Sequence, residues 1–292
     1  MKPAAFDYVR AESVEHAVLA LSAAGGDGKV LAGGQSLMPM MNFRLVKPSV
    51  LVDINAVAGL DTVTLRGDRI ELGALVRHRV TANDRLIAKH IPVLHHAMKH
   101  VAHLTVRNRG TFCGSVCHAD PAAEMPMMAL LLDGIVRIAS PRGERSLSAR
   151  DFIVGSLMTA LEPDELVTRI DVETMPDDCG WGFHEYARRH GDYALAAVAT
   201  TLRRCDECAR DVRFAVMGVG EMPCRLPDVE AVLEGRHLDD GVIADAMTAL
   251  RSAVSPNSDL NASADYRRHL AGALAARALR DAWGRAREGM RS

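Results

Sequence analysis

The residues of this chain that could do chemistry gather in two short glycine-bearing stretches. The first, Leu31-Ala32-Gly33-Gly34-Gln35-Ser36-Leu37, directly follows an apolar run. Glycine frees the backbone for unusual angles and lets a ligand approach closely. Successive amide N–H groups in such a turn form a concavity suited to phosphate oxygens, and Ser36 adds a hydroxyl. The competing reading is a tight turn with no ligand. The spacing fits neither G-x-G-x-x-G nor G-x-x-x-x-G-K-S/T, so it supports neither a Rossmann fingerprint nor a P-loop. The second stretch is Arg109-Gly110-Thr111-Phe112-Cys113-Gly114-Ser115, continuing through Val116-Cys117-His118-Ala119-Asp120-Pro121 to Glu124. An ordinary buried turn rarely needs that density of Gly, Thr, Ser, His and Asp. Two such loops, each near a strand end, can embrace a dinucleotide from opposite sides.

Other residues invite sharper chemistry than they support. Cys205-Asp-Glu-Cys208 has C-x2-C spacing, but no second pair completes a four-ligand site, and an exposed hairpin turn is the simpler reading. His95, His96, His100 and His103 recur along one helical stretch. They lack a His-Glu-x-x-His pattern and read as a solvated or interface face. Cys113 and Cys117 read as small packing residues. The Met groups (Met38, Met40, Met41; Met127, Met128) read as core or interface filling. Arg107 and Arg109 fit equally a phosphate contact, a neighbouring subunit or a surface pair. Arg267, Arg268, Arg277, Arg280, Arg285 and Arg287 are expected on the outer side of a helix. No metal site is expected in this chain.

The elements that must position these residues can be outlined. Ser13 to Ala24 predicts a helix with Ser13 as N-cap and Gly25-Gly26 as its stop. Lys29 to Ala32 and Val50 to Ile54 read as strands; Thr62 to Leu65 and Arg69 to Leu72 pair around Arg66-Gly67-Asp68. Thr81 to His103 reads as helical with a break near Pro92, and Met125 to Leu132 as an apolar helix with Glu124 in its first turn. Ile135 to Ala139 returns as a strand. The turn-rich stretch from Met175 to Gly180 predicts a domain boundary. Beyond it come a hairpin (Ala194 to Arg203, Val212 to Val219) and helices at Asp228 to Glu234, Asp240 to Val254 and Ala264 to Arg287. Strands before helices argue for an α+β fold. The length of 292 residues suggests about two domains. Net charge is −2 and only 4% of residues are aromatic, which argues against nucleic acid and against base-stacking platforms. The first ten residues carry charge where a secretory signal needs an apolar run, and no stretch is long enough to span a bilayer. Cytoplasmic, reduced thiols are therefore expected.

Ala32-Gly-Gly-Gln-Ser-Leu37 with Arg44, Val52-Asp-Ile-Asn55, Val106-Arg-Asn-Arg-Gly-Thr111 and His118-Ala-Asp-Pro-Ala-Ala-Glu124 together resemble the medium, FAD-binding subunit of molybdenum hydroxylases. This is the carbon monoxide dehydrogenase and xanthine dehydrogenase family. The likeness continues through Ala187-Arg-Arg-His-Gly-Asp-Tyr193-Ala, Gly218-Val-Gly220 with Arg225-Leu-Pro227, and Ala264-Asp-Tyr-Arg-Arg-His-Leu270, so it spans essentially the whole chain. It implies an α+β, two-lobed FAD-binding domain of the vanillyl-alcohol-oxidase/PCMH type at 1–176, with lobes of about 1–54 and 55–176. A smaller C-terminal domain at 177–292, a three-stranded sheet with a helical bundle, would follow. By the same resemblance Val30, Leu31, Ala32, Gly33, Gly34, Gln35, Ser36 and Leu37 would cradle the FAD diphosphate. Thr111, Gly114 and Ser115 would form the second flavin loop, with His118, Asp120 and Glu124 reaching the ribityl, ribose or adenine portions. Val101 and Leu166 would line the cavity, and Tyr193 would lie against one face of the isoalloxazine ring. Two departures stand out: Cys113 replaces a glycine common in a Thr-x-Gly-Gly pattern, and His184-Glu185 lies where many relatives carry lysine.

The implied function is electron transfer. Non-covalent FAD would take electrons from 2Fe–2S clusters of a small partner subunit and pass them to an external acceptor. Hydroxylation would take place at a molybdenum cofactor in a large partner subunit, in a dimer of heterotrimers. No residue of this chain need then act as acid, base or nucleophile. Two other classes compete: an autonomous FAD-dependent reductase or oxidase of a small substrate, and a flavin-free scaffold. The first lacks a convincing acid–base constellation of its own. The intact glycines and hydroxyls of both loops speak against the second.

Overall fold

The computed structural model describes residues 2–286. Its first sheet is parallel, in the order β1-β3-β2, from β1 (Asp7–Arg10), β2 (Gly28–Leu31) and β3 (Val50–Asp53). Parallel neighbours need crossovers, and α1 (Val14–Ala23) and α2 (Leu37–Asn42) lie in them. The Ser13 hydroxyl accepts from the His16 amide at 3.0 Å and caps α1, while Gly25 and Gly26, both at positive φ, end the helical run.

The second sheet is antiparallel. The hairpin β4 (Val63–Arg66) and β5 (Arg69–Gly73) turns at Gly67, where φ is +60°. The helical region follows as α3 (His78–Thr81), α4 (Arg85–His90), α5 (Pro92–Ala97), α6 (Leu104–Arg107), α7 (Phe112–His118) and α8 (Glu124–Leu131). Next come β6 (Ile135–Ser140), β7 (Gly143–Ser148), α9 (Ala149–Phe152), the small hairpin β8 (Ile153–Gly155) and β9 (Met158–Thr159), and β10 (Leu166–Glu173). The strand order is β4-β5-β10-β6-β7, with β10 running between β5 and β6. The helical stretch expected over Thr81 to His103 does break at Pro92, and it is divided further, into several short helices. Asp84 caps α4 through the Leu86 and Ile87 amides, and Ile91 leaves helical geometry because the residue before a proline is pushed out of it. His103 lies outside α5, beyond a turn at Ala102 with φ +41°.

The C-terminal part is a meander of β11 (Gly180–Ala187), β12 (Ala194–Cys205), β13 (Cys208–Met217) and β14 (Cys224–Arg225), followed by α10 (Pro227–Leu233), α11 (Asp240–Ala253) and α12 (Ala264–Arg285). The expected three-stranded sheet thus gains a fourth strand of two residues. Successive side chains on a strand point to opposite faces, and both faces of β12 are buried. Ala197 and Ala199 join the core built on the N-terminal sheets, whereas Ala196, Val198 and Leu202 join a second core under α10, α11 and α12. A Cβ at Gly180 or Gly182 would overlap the carbonyl of Ala282 or Ala278, so α12 lies directly on β11.

The arginines of α12 only partly follow expectation. Arg267 is buried, donating to the carbonyls of Leu195 (2.7 Å) and Gly218 (3.1 Å) and to Asp259 (2.8 Å). Long arginine stems let a helix reach backbone acceptors in a sheet, a use its composition does not advertise. Arg285 lies over the Trp181 ring at 4.0 Å, and Arg287 lies outside the described residues. His96 and His100 pack against Trp181 and Phe183 of β11, with ring centroids 5.0–6.0 Å apart. That histidine face is an internal seam. Met127 and Met128 are fully buried.

Candidate cofactor site

Val30 and Leu31 end β2, and the chain then turns through Ala32 to Ser36 into α2. Gly34 has φ +71°, which favours glycine. Among the described residues, the amides of residues 33–37 donate to nothing within the chain, and Ser36 makes no side-chain cap. Five successive main-chain donors beside a strand end form a ready anion receptor. The Gln35 side chain folds back onto the Gly33 carbonyl at 3.2 Å, bracing the turn.

The second stretch is not all loop, as its glycines suggested. Thr111 is the N-cap of α7, and its hydroxyl accepts from the Gly114 amide at 3.0 Å. Gly114, Ser115 and His118 therefore lie on α7, on the same side as Thr111 by their spacing of three and four. A Cβ at Gly114 would sit 2.7 Å from the Thr111 hydroxyl, so this glycine makes room for the cap itself. Cys113 is buried, its thiol directed at the Leu72 carbonyl at 3.3 Å, and burial raises its pKa well above the usual thiol value. Burial pushes the Cys117 thiol up to about 12. Ala119 takes a left-handed turn with φ +51°, after which the Asp120 carboxylate accepts from the Ala122 amide at 2.8 Å.

The two stretches meet. A Cβ at Gly33 would collide with the Arg109 carbonyl and lie 2.8 Å from the Gly110 Cα. Side chains that the sequence did not single out clamp the junction. The Arg77 guanidinium donates to the Arg109 carbonyl and to the Asn55 side-chain oxygen, and the Asn55 amide donates to the Ala32 carbonyl at 3.0 Å. Asp53 accepts from Asn55 and, at 2.5 Å, from the Tyr8 hydroxyl. Burial would raise the Asp53 carboxyl, but these donors outweigh it and hold it below the usual range. His78 is buried under Gly110, to whose carbonyl its amide donates at 2.9 Å. Burial, with Arg107 and Arg77 nearby, lowers its imidazole to about 4. Asn55 was visible only within a motif, and Arg77 carried no sequence signal.

Glu124 stands in the first turn of α8, and burial raises its pKa to about 7, with Asp120 adding to the effect. Burial and the nearby Glu124 carry Glu185 to about 8, and its Oε2 is buried with no hydrogen-bond partner among the described residues. Tyr193, between the 188–192 turn and β12, is 66% exposed. Partial burial and the carboxylates of Asp120, Glu124 and Asp192 raise its phenol pKa. The same turn packs Gly191 onto His103 and the Ala102 carbonyl. Val101 is buried there, and Arg107 donates to the carbonyls of Val101 (2.8 Å) and Ala102 (3.0 Å). Arg107 is therefore a turn staple, while Arg109 is exposed. Leu166 is buried at the start of β10, paired with Ala139, and no hydrogen bond joins it to either loop among the described residues.

This arrangement offers an anion receptor, a clamped second wall and an exposed tyrosine beside an acidic rim. Residues 4–174 match the FAD binding domain in molybdopterin dehydrogenase, and residues 181–282 match the CO dehydrogenase flavoprotein C-terminal domain. The chain belongs to the FAD-binding medium subunits of the molybdenum hydroxylase family. It is an oxidoreductase subunit. The nicotine 6-hydroxylase medium subunit of Paenarthrobacter nicotinovorans is 41% identical over 98% of this chain and 100% of that protein. The 6-hydroxypseudooxynicotine dehydrogenase complex subunit alpha of the same organism is 40% identical, over 98% and 97%. Among solved structures, carbon monoxide dehydrogenase from Hydrogenophaga pseudoflava lacking the Mo-pyranopterin moiety matches with a TM-score of 0.96 at 32% identity, covering 98% and 100% of the two chains. The medium subunit's unpartnered amides at residues 33–37 fit the diphosphate of FAD. No helix of the described residues is long and apolar enough to cross a membrane.

Proposed function

We propose that this medium subunit is the flavin relay of a three-subunit molybdenum hydroxylase. FAD, held non-covalently, takes electrons from 2Fe–2S clusters of a small partner and hands them to an external acceptor. The molybdenum cofactor of a large partner oxidises the substrate, and the assembly is a cytoplasmic dimer of heterotrimers. The observation that carries this reading is the pair of clamped loops with five unpartnered amides at residues 33–37.

In this reading Val30 to Leu37 receive the diphosphate, with Gly33 and Gly34 permitting close approach. Thr111, Gly114, Ser115 and His118 present one side of α7 to the ribityl, ribose or adenine portions, with Asp120 and Glu124 beyond them. Val101 and Leu166 supply apolar wall. Tyr193 covers a face of the ring and limits water there. Bound FAD supplies the redox chemistry. The chain itself binds and orients it, and no side chain serves as nucleophile or catalytic acid. The FAD-binding domain extends over 1–176, in lobes of about 1–54 and 55–176, and residues 177–292 form the lid-bearing C-terminal domain. The turn over 174–179 supports this division, and the second apolar core lies wholly beyond it, while the first also takes in Phe183, Ala197 and Ala199.

Isolation of the intact complex from its source tests the assignment. The chain is expected to co-elute with a larger chain carrying molybdenum and a smaller one carrying iron–sulfur clusters. A chain that elutes alone, with flavin reduced directly by its own substrate, would replace this reading with an autonomous flavin reductase or oxidase.

A further inference from the structure

Cys205 and Cys208 oppose each other across the tip of the β12–β13 hairpin. Only Asp206 and Glu207 separate them, and both are left-handed, with φ +52° and +59°. Two such residues are the hallmark of a type I′ turn, whose twist matches that of the strands it joins. The register is thereby fixed: Arg204 opposes Ala209, and Arg203 opposes Arg210. The tip is also held from outside. Ala209 donates to the Arg236 carbonyl and accepts from Gly235, both at 2.8 Å, while the His237 ring meets the Glu207 carbonyl at 2.9 Å.

Directly opposed residues project to the same face, with Cβ atoms roughly 4.5–5.5 Å apart. A disulfide needs Cα atoms about 4.4–6.8 Å apart and Cβ atoms about 3.5–4.5 Å apart. Flanking a two-residue turn, the pair is of the wider, hydrogen-bonded kind: its Cα spacing of about 5.5 Å meets the backbone requirement, but its Cβ atoms must close by about 1 Å, which leaves strain in the bond. Strained, accessible disulfides are the readily reduced ones. Both thiols are free and half-buried. Cys113, by contrast, is enclosed on α7. The spacing that suggested a metal site has no third ligand: among the described residues no group of three or more His, Cys, Asp or Glu side chains could hold an ion.

We propose that Cys205 and Cys208 form a reversible dithiol–disulfide couple at this hairpin tip, oxidised by small disulfides of the glutathione class. One cysteine thiolate attacks glutathione disulfide, forming a mixed disulfide and releasing one glutathione thiolate. The opposed cysteine attacks the protein sulfur of that mixed disulfide, closing the Cys205–Cys208 bond and releasing the second glutathione. The cysteines lose two electrons, glutathione disulfide gains them, and the two thiol protons end on the two glutathiones.

The test treats the full-length chain with glutathione disulfide, quenches in acid, alkylates remaining thiols and maps them by mass spectrometry. The expected product is about 2 Da lighter, with both alkylation sites lost from the 205–208 peptide and restored by excess reduced glutathione. Cys205→Ser and Cys208→Ser should each stop at a single glutathione adduct on the remaining cysteine, with an unchanged circular dichroism spectrum. Wild-type protein that accumulates stable glutathione adducts at the tip, or keeps both thiols open to alkylation while a control dithiol peptide is oxidised, would overturn the proposal.

Discussion

Gly33 separates two functions that a glycine loop can have. Its missing side chain admits the Arg109 carbonyl of the facing stretch, while its amide and the four that follow remain open to a ligand. Gly33→Ala should therefore push the loops apart at a cost of about 1–3 kcal/mol. We expect FAD retention to fall roughly tenfold or more, read as flavin per chain after gel filtration, with little change in far-ultraviolet circular dichroism. Arg77→Ala should act similarly from the other side, because it unties the Arg109 carbonyl from Asn55. Glu124 and Glu185 give a signature in pH. Their values of about 7 and 8 lie above the ordinary 4.5 for a glutamate, so the folded chain binds more protons than the unfolded one in between. That contribution is complete below about 4.5 and is lost as pH rises through 7 and 8. His78 and His96, both lowered to about 4, act oppositely, but only below their ordinary 6.5. Between pH 6.5 and 8.5 the FAD-free chain should thus lose thermal stability, by roughly 2–4 °C for each kcal/mol lost. Glu185→Gln should flatten that decline in a thermal-melt series.

Elements differ in how openly the sequence announces them. Ser13 with Gly25 and Gly26, the Arg66-Gly67-Asp68 turn and the apolar run after Glu124 each carry a local chemical cause, and each element formed within a residue or two of its expected place. In the stretch from Thr81 to His103 Pro92 announces one break, while the breaks before Arg85 and after Ala97 carry no proline and interrupt a continuing apolar pattern. Apolar pattern reports which face is buried, and it is blind to a break whose two sides bury the same face. The site shows the same limit. The glycines and hydroxyls were legible, whereas the Arg77–Asn55 clamp joins residues 22 positions apart, one following β3 and the other following β5. Arg267 was misplaced for a related reason: its acceptors are backbone carbonyls 72 and 49 positions away. At this scale Gly182 is the decisive position. Gly182→Val would force α12 off β11, and a loss of about 3 kcal/mol or more is expected by denaturant titration. Gly284→Ala on the same helix, where a Cβ meets nothing within 4 Å, should be nearly neutral.

A polar seam crosses the molecule beside the apolar core that its N- and C-terminal parts share. Arg69 on β5 pairs with Glu173 (2.7 Å), Glu173 with Arg213 on β13 (2.6 Å), Arg213 with Asp133 (3.2 Å), and Asp133 with Arg225 (2.8 Å). This chain of charges crosses from the N-terminal sheet to the C-terminal one and borders a cavity of about 610 Å³. Arg213→Ala breaks this chain of charges, but Glu173 keeps Arg69 and Asp133 keeps Arg225, so it should cost about 1 kcal/mol. Calorimetry is expected to resolve two unfolding steps where the parent shows one. The plain, nearly neutral composition now has a physical meaning: a chain whose own side chains position a redox cofactor needs no reactive cluster of its own. The most direct measurement of that claim is the flavin content of the purified chain after incubation with FAD and exhaustive dialysis. The account predicts about one FAD per chain with a visible flavin spectrum, and a marked loss in the Gly33→Ala variant. A folded parent chain that retains no flavin would contradict it.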